Sequence, residues 1–208
     1  MQPSTITRIT PEQFFSWVSG QEERYELVDG EVVMMAGAGR RHDRIVVNLT
    51  AAIHSQVRMG PCQTFTGDTY VATSSSTRRM PDLGVDCGKP DDDSLLADKP
   101  SLVVEVLSPT TGGFDVTVKL AEYQSLPSLE YILFVDTESP NVHLYSRGDD
   151  GSWKDIVLKG LEALVELEKL NVTLELREIY SGLEFRPRPA LVEPPAETDE
   201  PTGGFRSK

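Results

Sequence analysis

The sequence predicts an α/β (α+β) protein in which helices pack on a β-sheet. The first observation is an apolar run rich in β-branched residues at positions 102–109, bounded by Pro100 and Pro109, which is typical of a buried central strand. The second is a long stretch, Arg41 to Met59, whose apolar residues recur at helical spacing. The third is the pair Asp29-Gly30 between two extended runs, a strong signal for a β-hairpin.

The composition is that of an ordinary globular protein. The 208 residues, 38% hydrophobic and 25% charged, predict one domain over residues 1–186. Residues 187–208, rich in proline and acidic side chains, predict a disordered tail. No apolar run in the sequence approaches the about 20 residues of a membrane span, and the N-terminus lacks the pattern of a signal peptide. We therefore expect a cytoplasmic protein without a membrane partner.

The formal net charge of −13 argues against broad, sequence-independent binding to nucleic acid, because that affinity comes mainly from lysine and arginine meeting phosphates. It does not exclude such binding. A carboxylate-rich site with a divalent cation lowers the net charge while still handling phosphates. A local basic face could provide docking through Arg40, Arg41, Arg44, Arg78 and Arg79.

The chain contains two cysteines, Cys62 and Cys87. Their spacing matches neither a redox pair nor a zinc site. We expect two reduced thiols with structural roles.

The N-terminal elements are a helix and the hairpin. Thr10, Pro11 and Gln13 are typical of a capping box at a helix start, and we expect the helix to end at Gly20. In the hairpin that follows, Glu26 shares a strand face with an apolar residue, which is unusual for a solvated glutamate. A purely structural role for this glutamate is the alternative.

The long helix ends at Gly60-Pro61. Because three arginines surround His42 near the helix start, we consider the hypothesis that His42 lies near a functional site; a surface or core-edge histidine is the alternative. Residues 63–72 then predict extended structure turned at Gly67-Asp68. A further strand is expected to begin at Pro81-Asp82.

After the central strand, a turn over residues 108–113 leads to a helix that begins near Asp115 and ends at Pro127. In that helix Asp115, Lys119 and Tyr123 recur at intervals of four and share a face. Strands are predicted over residues 130–135 and 141–146. The pattern in residues 156–185 does not distinguish helix from strand.

The chemistry centres on Glu105, in the middle of the predicted central strand. A buried carboxylate is costly unless it is paired or bound to a metal; the alternative is a strand-end glutamate near solvent or paired to an arginine. Asp82 precedes it by 23 residues, enough for two neighbouring strands, so the two carboxylates could converge. Two carboxylates, a backbone carbonyl and waters suit Mg²⁺. Glu26 could extend the site.

Phosphodiester hydrolysis needs this combination. A bound metal lowers the pKa of its water, and an ammonium group stabilises the charge that builds on the phosphorus oxygens. Lys119 is the candidate for that ammonium group, and a solvated helix lysine is the alternative.

At these residues the sequence resembles the Uma-type restriction endonucleases, a branch of the PD-(D/E)xK nuclease superfamily. The resemblance covers most of residues 8–185 and rests on four motifs in order: Arg24-Tyr25-Glu26-Leu27-Val28-Asp29-Gly30-Glu31, Pro81-Asp82, Leu102-Val103-Val104-Glu105-Val106-Leu107-Ser108-Pro109, and Asp115-xxx-Lys119-xxx-Tyr123.

The resemblance implies a restriction-endonuclease-like core, a central mixed β-sheet flanked by helices. It implies catalytic roles for Glu26, Asp82, Glu105 and Lys119, with Mg²⁺ or Mn²⁺ bound by Asp82, Glu105 and the backbone carbonyl of Val106. Superfamily members usually place their lysine where this chain has Leu107, so the resemblance implies that Lys119 replaces it from the helix. Candidate substrate contacts are His42, Arg44 and Tyr123.

The first functional hypothesis is a metal-dependent endonuclease that cuts DNA, acting as a homodimer because a symmetric dimer suits the cutting of both strands. The second is a catalytically inactive nuclease-like module with an interaction or regulatory role, which the acidic charge and Leu107 favour. A sugar hydrolase with two carboxylates is a weaker third hypothesis, because 7% aromatic residues give little support for the cleft it needs.

Overall fold

The structure is a computed structural model and describes residues 8–89, 91–108 and 113–185, with residues 113–115 described only as backbone. The tail predicted at 187–208 and the turn residues 109–112 lie outside these ranges, so the predicted domain bounds stay a prediction. Within the ranges, every helix is too short or too polar to cross a membrane.

The N-terminal helix and hairpin form as the sequence predicts. Helix α1 spans Pro11–Val18, and Thr10 and Gln13 form the capping box with hydrogen bonds of 3.3 and 2.9 Å. Strands β1 (Tyr25–Val28) and β2 (Glu31–Met34) pair in antiparallel fashion. The turn between them has positive φ values at Asp29 and Gly30, as a tight two-residue hairpin requires.

Helix α2 spans Arg40–Val57 and buries one residue per turn against the sheet. Those residues, Ile45, Leu49, Ile53 and Val57, have the spacing of an amphipathic helix. Four short strands follow: β3 (Gln63–Thr66), β4 (Val71–Ala72), β5 (Arg78–Arg79) and β6 (Leu83–Asp86).

Strand β7 spans Pro100–Leu107, and every residue of it except Leu107 is buried. The strand begins at Pro100, two residues before the apolar run, because Pro100 pairs with Asp86 on β6. Helix α3 spans Gly113–Gln124, and strands β8 (Tyr131–Asp136) and β9 (Asn141–Arg147) follow.

Most of the stretch that the sequence left open is extended. It begins inside β10 (Trp153–Lys159) and then contains β11 (Leu164–Leu167), a 3-10 turn (Glu168–Leu170), β12 (Val172–Glu175) and the short helix α4 (Leu176–Ile179). Strands β11 and β12 bury every second residue, and they pair with each other. Strand β10 lies at a sheet edge with most side chains exposed, so it has no clear apolar alternation.

The central sheet has six strands in the order β10-β9-β8-β7-β6-β3, and β7 lies next to β8 in parallel while the other pairs are antiparallel. Helix α2 and the β11–β12 hairpin share a core with one face, and the buried face of α3 shares a core with the other. A second sheet has the order β2-β1-β5-β4. The predicted mixed sheet flanked by helices is therefore confirmed.

The two cysteines form a disulfide, so the prediction of reduced thiols was wrong. Cys62 immediately precedes β3 and Cys87 immediately follows β6, and the pairing of Gln63 with Asp86 places the two cysteines opposite each other. Their Cα atoms are 4.1 Å apart. The sequence did not reveal this pair because the antiparallel register of β3 and β6 is a tertiary property.

Candidate nuclease centre

Strand β7 carries Glu105 into the interior. Along this strand Val104 and Val106 pack into the core shared with α2, whereas Val103 packs into the core shared with α3. Because side chains alternate in a strand, Glu105 lies on the α3 side, and it is 7% exposed. A solvated strand-end position for Glu105 is therefore excluded.

Helix α3 supplies two hydrogen bonds to Glu105. The Lys119 ammonium donates to Oε2 at 3.0 Å, and the Tyr123 hydroxyl donates to Oε1 at 2.6 Å. Lys119 and Tyr123 share a helix face, as predicted, whereas the side chain of Asp115 lies outside the described part of the chain. Lys119 is 8% exposed and Tyr123 is fully buried, so neither is the solvated residue that helices usually present.

Strand β1 adds Glu26, which is also buried. Its Oε2 accepts a hydrogen bond from Nη1 of Arg79 at 2.9 Å, and its Oε1 accepts one from the backbone N–H of Met80 at 3.0 Å. The Lys119 ammonium lies 3.6 Å from Oε1 of Glu26. Lys119 therefore lies between two carboxylates, and the one on β7 is nearer.

Arg79 and Glu122 are site neighbours that sequence reasoning missed. Nε and Nη2 of Arg79 each donate to one oxygen of Glu122 at 2.7 Å, a bidentate pair. Thr73 also donates to Glu122, at 3.1 Å. One signal was available: Arg79 lies only three residues before Asp82, and successive residues of a strand face opposite sides, so Arg78 and Arg79 cannot both face the same way.

Asp82 lies just before β6, where the ladder with β7 ends at the pair of Leu83 with Val104. Its Oδ2 accepts a hydrogen bond from the backbone N–H of Val106 at 2.8 Å. Asp82 is therefore adjacent to the residue that follows Glu105.

His42, the third residue of α2, lies against the same carboxylate. Its Nε2 is 3.2 Å from Oδ2 of Asp82. The structure thus brings His42 to one of the predicted metal ligands.

The electrostatics of the centre are those of crowded, buried carboxylates. Burial raises the pKa of Glu105 to about 7; the charges of Asp82 and Glu26 add to the rise, while Lys119 and the hydrogen bond from Tyr123 oppose it. Burial lowers the pKa of His42, but the hydrogen bond to Asp82 and the nearby negative charges outweigh burial, and the pKa is raised.

The five arginines expected to form a basic face are not all available at the surface. Arg79 is 3% exposed, and its guanidinium is used by carboxylates inside the protein. Arg41 donates to the backbone carbonyls of Thr137 and Glu184 at 2.7 and 3.0 Å, and so holds segments of the fold together. The sequence could not show this, because each of these contacts joins distant parts of the chain.

Two other members of that set lie at the surface of α2. Arg44 is exposed and its guanidinium lies beside Gly182, close enough that a Cβ there would come within 2.8 Å of Nη1. Arg40 is exposed at the start of the helix. These two remain the arginines of α2 that a ligand could reach from solvent.

Comparison with known proteins identifies the family. A family model, Uma2, described as "Putative restriction endonuclease", matches residues 11–178. The chain belongs to the Uma2 family. The resemblance noted from the four motifs is therefore confirmed.

Two relatives of the chain come from Synechocystis sp. (strain ATCC 27184 / PCC 6803 / Kazusa). The "Uncharacterized protein slr1290" is 31% identical over 180 residues, which cover 86% of this chain and 94% of that protein. The "Uncharacterized protein sll1609" is 27% identical over 177 residues, which cover 83% and 99%.

A crystal structure supports the fold assignment. It is described as that of "a putative nuclease belonging to DUF820 from Anabaena variabilis ATCC 29413", and it matches with a TM-score of 0.69 over 83% of this chain and 98% of that chain. The sequence identity is 18%. This Uma2 chain thus has the fold of that protein.

Proposed function

We propose that this Uma2 protein is a metal-dependent endonuclease that hydrolyses phosphodiester bonds in DNA with a metal-activated water. The observation that carries the proposal is the 3.0 Å contact between the Lys119 ammonium and the Glu105 carboxylate, on a chain whose family model is described as "Putative restriction endonuclease". Buried ionisable groups with strongly perturbed pKa values cluster at functional sites.

The residues fit a hard divalent cation such as Mg²⁺ or Mn²⁺. Among the described residues the network holds three carboxylates, the buried Glu26 and Glu105 and the partly exposed Glu122, against two cations, Arg79 and Lys119. Asp82 adds a fourth carboxylate, so carboxylates outnumber lysine and arginine here, which suits a divalent ion. Such an ion would also favour the ionised form of Glu105, which burial opposes.

We propose Asp82, Glu105 and the carbonyl of Val106 as the ligands. The described residues contain no cluster of three or more histidine, cysteine or acidic side chains placed to bind an ion, so water would complete the shell. In an extended strand the N–H and C=O of one residue lie on the same edge. The carbonyl of Val106 therefore shares an edge with its N–H, which donates to Asp82.

Each side chain then has a defined task. The cation, when bound, polarises the phosphate and lowers the pKa of its water. Lys119 provides the positive charge that stabilises the phosphorus oxygens, and Glu26 orients Lys119. Tyr123 fixes the Glu105 carboxylate from a fully buried position, so we assign it to positioning Glu105. His42 holds Asp82 and, with Arg44, remains a candidate for substrate contact.

An inactive nuclease-like module is the second candidate function. It is favoured by Leu107, which occupies the position where the superfamily usually has its lysine. An intact metal site should raise the melting temperature on addition of Mn²⁺, because the ion binds only the folded state. A melting temperature that neither Mg²⁺ nor Mn²⁺ changes would favour the inactive module.

The proposed activity is tested by incubating the purified protein with supercoiled plasmid and Mg²⁺ or Mn²⁺. We expect nicked and linear products from the wild type, and loss of both products with Asp82→Ala and with Glu105→Ala. Equal cleavage by all three proteins would indicate a contaminating nuclease. An RNA of the same sequence, assayed in parallel, tests the preference for DNA.

We also propose a homodimer, since one active centre per subunit allows a symmetric pair to cut both strands of a duplex. Sedimentation of the protein alone and with a DNA duplex measures the assembly. A monomer in both conditions contradicts this part of the proposal.

A further inference from the structure

We infer that Arg79 and Glu122 are positioning residues of the nuclease centre: together they hold Glu26 so that Lys119 stays on Glu105. The inference rests on the proposed function for its catalytic consequence. Neither residue contacts Glu105 or Asp82 through any hydrogen bond among the described residues. Their effect passes through Glu26 and Lys119.

The contacts form a chain across three elements. Arg79 on β5 uses one edge of its guanidinium for both oxygens of Glu122 on α3, and the remaining Nη1 for Glu26 on β1. Glu26 in turn lies 3.6 Å from the Lys119 ammonium. A planar guanidinium can make these contacts at once, whereas a lysine ammonium cannot match the bidentate geometry.

The arrangement controls a competition for Lys119. Two buried carboxylates, Glu26 and Glu105, lie near one ammonium, and the ammonium is 0.6 Å closer to Glu105 (3.6 Å against 3.0 Å). Arg79 and the Met80 N–H already satisfy Glu26, so Glu26 attracts Lys119 less. Without Arg79, Glu26 would be a buried and poorly compensated carboxylate, and it would draw Lys119 away from Glu105.

A large net gain in stability is not expected from such a network. Buried ion pairs are often replaceable by apolar residues of similar volume without loss of stability, because the desolvation penalty offsets the attraction. Glu122 is clamped by Arg79 and Thr73, and it fixes the orientation of the guanidinium from the helix that also carries Lys119. Through Arg79 and Glu26, the position of the Lys119 ammonium therefore depends on Glu122, which is not one of the predicted catalytic residues.

The test compares Arg79→Met with the double variant Arg79→Met/Glu26→Gln. For Arg79→Met we expect kcat for DNA cleavage to fall by about 10- to 100-fold, with KM and the Mn²⁺ dissociation constant within about twofold of the wild type. The double variant removes the uncompensated carboxylate, so we expect the Lys119 ammonium to return toward its wild-type position beside Glu105, which its resonance reports. A residue that served folding alone would lower the free energy of unfolding without changing kcat per folded molecule or the Lys119 resonance, so the free energy of unfolding is measured for each variant.

A matched control is Arg177→Met. Arg177 also pairs with two glutamates, Glu162 and Glu175, but its side chain is 51% exposed. We expect this variant to retain the kcat of the wild type. If Arg79→Met does not fold, Glu122→Gln is the second variant, because it weakens the hold on the Arg79 guanidinium at a side chain that is partly exposed. We expect kcat of Glu122→Gln to fall while KM stays unchanged.

A readout without activity separates this inference from the proposed function. The Nζ resonance of Lys119, assigned with Lys119→Arg, should shift in Arg79→Met and return in the double variant, whether or not the wild type cleaves DNA. A wild type that lacks cleavage but shows these shifts overturns the nuclease proposal alone. A folded Arg79→Met with unchanged kcat and unchanged Lys119 resonance, or a double variant in which that resonance stays shifted, overturns the inference.

Discussion

The ammonium of Lys119 lies 3.0 Å from the Glu105 carboxylate, although the two residues are on different elements and 14 positions apart in the chain. Strand β7 presents the carboxylate from the sheet, and α3 crosses above it with Lys119 and Tyr123 on its buried face. Leu107, where the superfamily usually has its lysine, lies on the same face of β7 and packs among apolar residues. The positive charge beside Glu105 therefore comes from Lys119 on α3 and not from a lysine on β7.

Replacement of Lys119 by methionine should lower the rate of DNA cleavage by about 100-fold or more, because removal of one charge-stabilising group from an active site has effects of that size. Lys119→Arg keeps the charge in a different shape and should retain more activity than Lys119→Met. The measurement is the single-turnover rate on a DNA duplex at saturating Mn²⁺. Wild-type rates in Lys119→Met would remove Lys119 from the mechanism.

Stability should depend on pH through Glu105. Its pKa is raised from 4.5 to about 7 in the folded protein, mainly by burial. A carboxyl group with a higher pKa in the folded state binds its proton more tightly there, so its stabilising contribution is complete below about pH 4.5 and is lost as the pH rises through about 7. The loss is on the order of 3 kcal/mol.

Glu105→Gln removes this titration. The difference in unfolding free energy between Glu105→Gln and the metal-free wild type should therefore grow in favour of the variant between pH 5 and 8, as measured by urea denaturation. At pH 8, Mn²⁺ should stabilise the wild type but not the variant. Glu162→Gln, with a side chain 83% exposed, is the control and should show neither effect. A difference that does not vary with pH would contradict the assigned shift.

Loss of the disulfide between Cys62 and Cys87 should destabilise the protein. The cross-link closes a loop with a sequence separation of 25, for which chain entropy predicts about 3 kcal/mol. Cys62→Ser/Cys87→Ser should therefore unfold at lower urea concentration than the oxidised wild type. The wild type in reducing agent should match the variant, and identical curves with and without reductant would show that the disulfide does not form in solution.

Gly84 lies where β6 passes closely between its neighbours. A Cβ at this position would approach the ring of Phe65 and come within 2.8 Å of the carbonyl oxygen of Leu102. Gly84→Ala should therefore cost about 1–3 kcal/mol by overpacking the sheet. The matched control is Gly37→Ala, where the added methyl meets nothing within 4 Å and should change the unfolding free energy little. Equal effects of the two substitutions would contradict the packing argument.

Some of the candidate site could be predicted because its signals are local. The apolar run with one glutamate predicted the strand of Glu105, and the interval of four placed Lys119 and Tyr123 on one helix face. The hairpin around Asp29-Gly30 followed from turn chemistry. Each of these features depends on residues close together in the chain.

The sequence by itself therefore predicted the main helices and strands up to residue 146, and the family, because periodicity and motifs are read along the chain. Tertiary structure decided what surrounds Glu105. Arg79 changes from an expected surface arginine to a buried one only because Glu26 and Glu122, 53 and 43 positions away, converge on its guanidinium. The disulfide likewise depends on the register of β3 and β6. Burial of a charge is a property of all its neighbours together, and the linear pattern does not contain them.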